Sequence, residues 1–262
     1  MELTAFNIEE FDLKLDTEII GRNFIYIDEV ESTNSLLLNS NEYKEHGTVL
    51  FAEQQTKGRG RLNRDWRSAR ELNLTFSILL KDNLNNLNLI NLGAAVAIAQ
   101  SINNFYQLDV TLKWPNDVLI NDKKTAGILL ESSSKSNKIE KVVVGIGVNV
   151  NQTAFNGEYR IKPTSIKREC KETVSRERLL SELLNNFEEM LNDLESNKEK
   201  VLEEWKSRSK HLGEKIKIEE GSQNKFGVFY DIDEEGYLLL KNNDNIERIT
   251  FGDVSLTPNQ PK

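Results

Sequence analysis

Apolar residues recur along this chain at two spacings, and the changes of spacing mark out its elements. Phe24 to Ile27 reads as a short strand. It leads through Glu31-Ser32-Thr33-Asn34 into an apolar run at Leu36-Leu37-Leu38. Short polar residues just before such a run are helix N-caps. Thr48 to Glu53 and Leu74 to Leu80 are β-type runs. From Asn91 to Leu108 the apolar positions are Leu92, Ala95, Val96, Ala99, Ile102 and Phe105, which is the spacing of an amphipathic helix. Thr111 to Glu131 reads as strand, turn, strand, turn, strand: Lys113-Trp114 ends the first, Pro115-Asn116-Asp117 turns, Val118 to Ile120 restarts, and Lys124 enters the last after Asn121 to Lys123. Val142 to Asn151 predicts a buried strand with glycines at 145 and 147 and a polar Asn149. Gln152 to Thr173 is polar and irregular.

Ser175 to His211 is expected to be helical, with one stripe from Leu179 through Leu180, Leu183, Leu184, Phe187, Met190 and Leu191 to Leu194. A break near Ser196-Asn197 precedes Val201, Leu202 and Trp205; Lys206, Arg208 and Lys210 suit the C-terminus, and Gly213 is the expected stop. From Lys215 four or five short strands alternate with turns such as Asp233-Glu234-Glu235-Gly236, predicting a small β-barrel. The first 23 residues carry scattered apolar positions (Leu3, Phe6, Ile8, Phe11, Leu13, Leu15), too few for a helix-turn-helix domain.

Composition narrows the function. The 262 residues are 38% hydrophobic, enough for a real core, and fit one large domain with a small appendage. A net charge of −8 disfavours general nucleic-acid binding through phosphate neutralisation. One cysteine, Cys170, excludes an internal disulfide or a cysteine metal cage and suits a reduced cytoplasmic thiol. With two histidines, a histidine metal site is not expected, and no residue is assigned to a metal. Neither a membrane span nor a signal peptide is legible.

Against that acidic background the stretch Gln55 to Trp66 stands out. Gly58 and Gly60 bracket Arg59, and Arg61 and Arg64 follow. Glycine lets backbone amides approach a ligand, and arginine forks hold carboxylate and phosphate oxygens. A solvated basic turn is the plainer reading of a lone Gly-Arg-Gly-Arg; Gln55 before it, Trp66 after it and two motifs downstream favour a mobile anion-wrapping loop. In the hairpin that follows, Lys113, Asn116, Asp117 and Lys124 can converge on one end of the sheet, where Gly127 marks close approach of another molecule. Gly145 and Gly147 allow a flat ligand against the backbone, although a tightly packed core strand explains them as well. Ser32, Thr33 and Asn34 are either a cap alone or one wall of a pocket.

Taken in order, Glu31-Ser-Thr-Asn34, the loop from Glu53 to Trp66, Lys113-Trp-Pro-Asn-Asp117, Lys124-Thr-Ala-Gly-Ile-Leu129 and Gly145-Ile-Gly-Val-Asn149 resemble the biotin protein ligases. The resemblance runs from about Phe24 to the C-terminus. It implies an α/β (α+β) fold: a class II aminoacyl-tRNA synthetase-like catalytic domain with a mixed or antiparallel sheet over residues 24–212, an SH3-like small β-barrel over 213–262, and an N-terminal extension over 1–23. Only the extension precedes the catalytic part, so the resemblance is to the monofunctional form without a DNA-binding domain. It implies ATP and biotin as substrates with Mg²⁺, giving biotinyl-5′-adenylate, and then transfer to a lysine of a biotin carboxyl carrier protein of acetyl-CoA carboxylase or a related enzyme. Carried over by motif, Ser32, Thr33, Asn34 and Gln55 line the biotin pocket; Arg59 to Arg61, with Gly58 and Gly60, close over biotin and adenylate; Lys124 holds the reacting carboxylate; Gly127, Gly145 and Gly147 give backbone contacts. Trp66 stacks on adenine, Arg64 and Arg61 approach phosphates, Lys113, Asn116 and Asn149 lie on the nucleotide side, and Asp117 orients or deprotonates the incoming lysine.

Two positions depart from the pattern. Asn63 stands where glycine is frequent, and Ser68-Ala69-Arg70-Glu71 lacks the usual proline and glycine. A lipoate–protein ligase and a non-catalytic biotin sensor are the alternatives. A homodimer stays open, no nucleic-acid or membrane partner is expected, and the compartment implied is the cytoplasm.

Overall fold

The computed structural model describes residues 5–81, 86–136, 138–221 and 223–256, with the side chain of Asn63 left out; the expectations at Leu3 and for the Asn63 side chain lie outside the described residues. A seven-stranded mixed sheet has the order β1-β2-β3-β7-β6-β5-β4. Its strands are β1 (Phe24–Val30), β2 (Val49–Gln55), β3 (Leu74–Leu80), β4 (Val110–Lys113), β5 (Asp117–Ile120), β6 (Lys123–Lys135) and β7 (Lys138–Val148). β1 runs parallel to β2, and the other described pairs are antiparallel.

The sequence Leu-Thr-Phe-Ser-Ile-Leu-Leu of β3 shows how the sheet sorts its residues. Successive side chains of a strand point to opposite faces. Leu74, Phe76, Ile78 and Leu80 join the main core, which includes the buried residues of α3 (Leu87–Tyr106) and α5 (Arg176–Ser196). Leu79 joins Leu50, Val143 and Leu37 in a second cluster on the other face, under α2 (Thr33–Asn39). Thr75 and Ser77 share that second face. They are its only polar positions in β3, and they are buried.

α3 is buried on nearly every side, as its alanine-rich, almost uncharged sequence requires. It starts at Leu87 and ends at Tyr106, four residues earlier and two residues sooner than its spacing implied; Gln107 takes a left-handed conformation and stops it. α5 breaks at Asn197 as expected and gives way to α6 (Lys198–Ser207). The helix does not reach His211. Arg208 caps it, and Gly213, at φ +82°, serves the turn into the next sheet instead.

Two short helices went unread: α1 (Ile8–Asp12), and α4 (Ile166–Cys170) inside the polar segment 152–173. Phe6, Phe11, Leu15 and Ile20 are buried in the main core, with the Phe6 ring 4.5 Å from that of Phe51. Residues 5–23 therefore pack as part of the main body.

Five strands, β8 (Lys215–Glu220), β9 (Gln223–Ile232), β10 (Leu238–Asn242), β11 (Asn245–Ile249) and β12 (Asp253–Leu256), form an antiparallel sheet in the order β11-β10-β9-β8-β12. It docks against the main body: the Trp114 indole N–H donates to the Gly236 carbonyl at 3.2 Å, and Gly236 lies against Leu89 and Leu92 of α3. No described helix is long and apolar enough to cross a membrane.

Candidate active site

Residues from three separate sequence motifs meet on one line across the sheet. In the register of the ladders Thr75 faces Gly147, Gly147 faces Gly127, Gly127 faces Asp117, and Asp117 faces Lys113. One residue per strand, over β3, β7, β6, β5 and β4, thus forms a row perpendicular to the strands. Beside it runs a second row, Ser77, Gly145 and Leu129. Cross-strand neighbours on one face lie close enough to interact directly.

Lys124 reaches this row through an irregularity. Strict alternation from Gly127 would put Thr125 on the face, not Lys124. The register slips between Val118 and Leu119, so that Val118 pairs with Ala126 but Leu119 pairs with Lys124. A bulge of this kind leaves one residue extra and re-aims its neighbour. Backbone partners elsewhere take up the freed groups: Lys124 N donates to Lys162 O, Thr164 N to Lys124 O, and Asn149 N to Thr125 O. The Lys124 ammonium then sits 2.5 Å from Asp117 Oδ1, with Lys113 Nζ 3.7 Å from Asp117 Oδ2. Burial opposes ionisation of Asp117, but Lys124 and Lys113 outweigh it and hold the carboxyl below its ordinary range. Burial pulls Lys113 below its ordinary value, against Asp117 and Asp253.

At the other end of the rows stands the N-terminus of α2. Ser32 caps it, its hydroxyl accepting from Ser35 N. Thr33 N donates to Gln55 Oε1 at 2.7 Å, and Ser77 Oγ lies 2.6 Å from both Thr33 Oγ1 and Asn34 Oδ1. The Asn34 amide donates to Leu129 O at 3.0 Å and to Glu131 Oε2 at 2.9 Å. Ser32, Thr33 and Asn34 are buried and wall a cavity, and Ser32 alone of the three caps the helix. Glycine is required at 145 because a Cβ there would overlap the Asn34 side chain. Gly145→Ala should therefore push Asn34 out of its network and cost about 1–3 kcal/mol of stability through overpacking. A melting temperature equal to that of the parent protein would contradict this.

The loop from Gly58 to Trp66 is closed by hydrogen bonds of its own. Trp66 N donates to Gly58 O at 2.9 Å and Gly60 N to Arg64 O at 2.7 Å, and the backbones of Arg59 and Asp65 pair as an isolated antiparallel bridge. A 3-10 turn, Arg61–Asn63, makes the tip. A Cβ at Gly58 would strike the Trp66 carbonyl oxygen, so this glycine closes the base of the loop; alone among the expected site residues it does not line the cavity. The three guanidiniums go to three walls. Arg59 donates to Ser35 Oγ at 2.8 Å and pairs with Glu131; Arg61 donates to Asn116 Oδ1 and to Gly252 O, both at 3.3 Å; Arg64 pairs with Asp253. The Trp66 indole rests on the row itself, over Gly147 and beside Gly127, with Lys124 Nζ 5.8 Å from its ring. Asn116 donates to Ile128 O, and Asn149, just past the end of β7 rather than inside it, is buried with its amide 3.5 Å from Lys124 O.

These groups enclose a cavity of about 690 Å³, within the range typical of ligand pockets. Seven cationic side chains line it against four carboxylates, in a chain whose net charge is −8. An anion is its natural occupant. Sequence reasoning missed Thr75 and Ser77, whose alternation with apolar residues in β3 was a usable signal. It also missed Glu131, the segment 155–163 and Asp253, which carry none. Among the described residues no group of three or more His, Cys, Asp or Glu side chains is placed to hold a metal ion.

Comparison with known proteins follows the same residues. Residues 26–149 match the biotin/lipoate A/B protein ligase family, and residues 211–257 match the biotin protein ligase C-terminal domain. The bifunctional ligase/repressor BirA of Bacillus subtilis is 33% identical over 255 residues, covering 94% of this chain and 78% of the relative. The chain belongs to the biotin/lipoate A/B protein ligase family. Within that family the biotin–[acetyl-CoA-carboxylase] ligase of Paracoccus denitrificans is 31% identical over 219 residues, covering 80% of this chain and 91% of the relative. The structure of biotin protein ligase from Aquifex aeolicus in complex with biotin and ATP superposes with a TM-score of 0.80 at 32% identity, covering 90% of this chain and 99% of that one. The two family matches fall on the two sheets, the first on the larger and the second on the smaller.

Proposed function

We propose that this protein is a biotin protein ligase, which joins biotin and ATP into biotinyl-5′-adenylate and passes the biotinyl group to a lysine of a biotin carboxyl carrier protein. The observation that carries this reading is the row of Gly147, Gly127, Asp117 and Lys113, with Lys124 turned onto it. It offers a flat floor for an extended ligand and ends in paired cations. The glycine floor suits the valeryl chain, and Lys124 receives the carboxylate. Attack of that carboxylate on the α-phosphorus brings two anions together; fixed cations offset the repulsion and the charge of the transition state. Mg²⁺, when bound with the nucleotide, would add positive charge at the phosphates. In the second step the carrier amine attacks the acyl carbon and AMP leaves, so no nucleophile from this chain is needed. Asp117, held ionised by two ammoniums, is a weak base, and we assign it to positioning Lys124 and Lys113 rather than to deprotonating the amine.

Roles for the rest follow their place. Ser32, Thr33, Asn34 and Gln55 form the biotin end; Arg59 and Arg61 close over the ligand; Arg64, Trp66, Asn116 and Asn149 take the nucleotide side. The loop and the segment 155–163 roof the cavity and keep water from the adenylate. We read the parts as a synthetase-like catalytic domain over 24–212 and an SH3-like barrel over 213–262, in a cytoplasmic enzyme.

The family also includes lipoate ligases, and the head-group end separates the two. Hydroxyl and amide groups there can both donate and accept, which matches a ureido ring. A dithiolane ring offers neither and would gain no hydrogen bond from these groups. Pyrophosphate should exchange into ATP when biotin is added and not when lipoate is added. Exchange with lipoate alone would transfer the assignment to that substrate. Tight biotin binding without any exchange would leave a sensor.

A further inference from the structure

Lys124 is held from a second side, outside the ladder that slips beneath it. Lys124 N donates to Lys162 O and Thr164 N donates to Lys124 O, both at 2.9 Å, so Lys124 and Pro163 form an isolated parallel bridge. In such a bridge the residue opposite contributes neither of its own backbone groups. A proline, which has no N–H, therefore fits at 163. The bridge is a single pair, and its register depends on what fixes the chain on either side.

Glu169, in α4, does the fixing. Its side chain is only 9% exposed, and it does not line the cavity. Its Oε1 accepts from Thr164 Oγ1 at 2.5 Å and from Lys123 Nζ at 3.3 Å, and its Oε2 accepts from Asn121 Nδ2 at 2.7 Å. Burial opposes ionisation of Glu169, but these three donors outweigh it and hold the carboxyl below its ordinary range. The donors flank Lys124 in both stretches of chain. Lys123 precedes it in β6, and Thr164 carries the second bond of the bridge. Asn121 opens the two-residue turn from β5 to β6, where Asn121 and Asp122 take φ of +50° and +61°, as a tight hairpin turn on a twisted sheet requires. α4 is itself anchored: Ile166 N and Lys167 N donate to the carbonyls of Asn149 and Val150, just past β7, at 3.0 and 2.9 Å.

We propose that Glu169 is the positioning residue for Lys124: by tying the β5–β6 turn to Thr164 it keeps the slipped register, and with it the Lys124 ammonium on the glycine row. This rests on Lys124 receiving the biotin carboxylate in an ATP-dependent biotin ligase. Glu169 does not touch substrate; its effect passes through the backbone of Lys124.

The test is Glu169→Ala in the full chain, alone and combined with Lys124→Ala, with Glu169→Gln and Glu169→Asp beside it. Displacing a catalytic group by about 1 Å can cost ~100-fold in rate, so loosening Lys124 should slow biotin-dependent exchange of pyrophosphate into ATP about tenfold at saturating substrates. KM for ATP should stay at the parent value. Glu169→Gln should recover most of the rate, because its amide can serve the same three partners once Asn121 turns its own amide over. Glu169→Asp, one methylene shorter, should not. In the Lys124→Ala background Glu169→Ala should slow the residual exchange no further, since an effect that passes through Lys124 cannot be lost twice. Thr164→Val, which removes one of the three donors and keeps the bridge, should show the same dependence on Lys124, and it serves where Glu169→Ala does not fold. Exchange at the parent rate in a folded Glu169→Ala protein overturns the proposal. An undiminished loss in the Lys124→Ala background overturns it too, because that marks a general structural role. If the parent protein shows no biotin-dependent exchange, the functional reading fails and takes this proposal with it. That outcome is distinct, because it appears without any variant.

Discussion

Lys124→Ala is expected to remove adenylation almost completely while the protein stays folded. The Lys124 ammonium is the one cation delivered onto the glycine row by the slipped register, and it sits against Asp117 at 2.5 Å. Removing it takes away a fixed positive charge where carboxylate and α-phosphate meet. Removing one preorganised donor from such a site costs roughly 2–4 kcal/mol, about a 30- to 1,000-fold loss in rate. Asp117 would keep Lys113 at 3.7 Å as its remaining partner, so the fold should tolerate the change. A stopped-flow or exchange assay reads the rate, and thermal melting reads the fold. Adenylation within about threefold of the parent, well below the smallest loss expected, would strip Lys124 of this role.

Arg176→Met should produce the largest loss of stability. Arg176 at the start of α5 clamps Glu53 of β2 through two hydrogen bonds of 2.5 and 3.0 Å, and both side chains are almost wholly buried. Phe6 N and the Tyr26 hydroxyl also donate to Glu53, at 3.0 and 3.3 Å. The arginine stacks on the Phe6 ring at 5.8 Å. Methionine would leave a buried carboxylate with only neutral donors. Breaking one side of a buried ion pair costs about 3–5 kcal/mol, which for a chain of this size lowers the melting temperature by roughly 6–20 °C. Adding Glu53→Leu should restore part of the loss, since replacing both members with apolar groups is frequently neutral. A single variant that melts with the parent would show that the pair contributes nothing.

The two cases divide what the sequence could reveal from what it could not. Gly127, Gly145, Gly147, Lys113 and Asp117 each stood out locally, because glycines inside strands and lysines beside a Pro-Asn-Asp turn are unusual. That they form two rows depends on inter-strand register, a property of pairs of strands and not of either alone. Lys124 belonged on the site only because the ladder slips at Val118, and no local spacing announces that slip. Glu53 and Arg176 lie 123 positions apart, and each reads as an ordinary surface charge until the fold joins them. Asp253 and Glu169 are likewise unremarkable in their own segments. The stripe of α5 and the break at Asn197 were legible, because helix periodicity is a local property. The end of α6 was misplaced because Gly213 looked like a stop, while the chain had already turned away at Arg208.

A floor built one residue per strand also acts as a gauge. From Thr75 to Lys113 it crosses five strands. At about 4.8 Å per strand those four steps measure roughly 19 Å. The graduations are set by backbone hydrogen bonds and not by flexible side chains, so the distance between the ends of this surface is as rigid as the sheet itself. Whatever lies on it is sorted by its length.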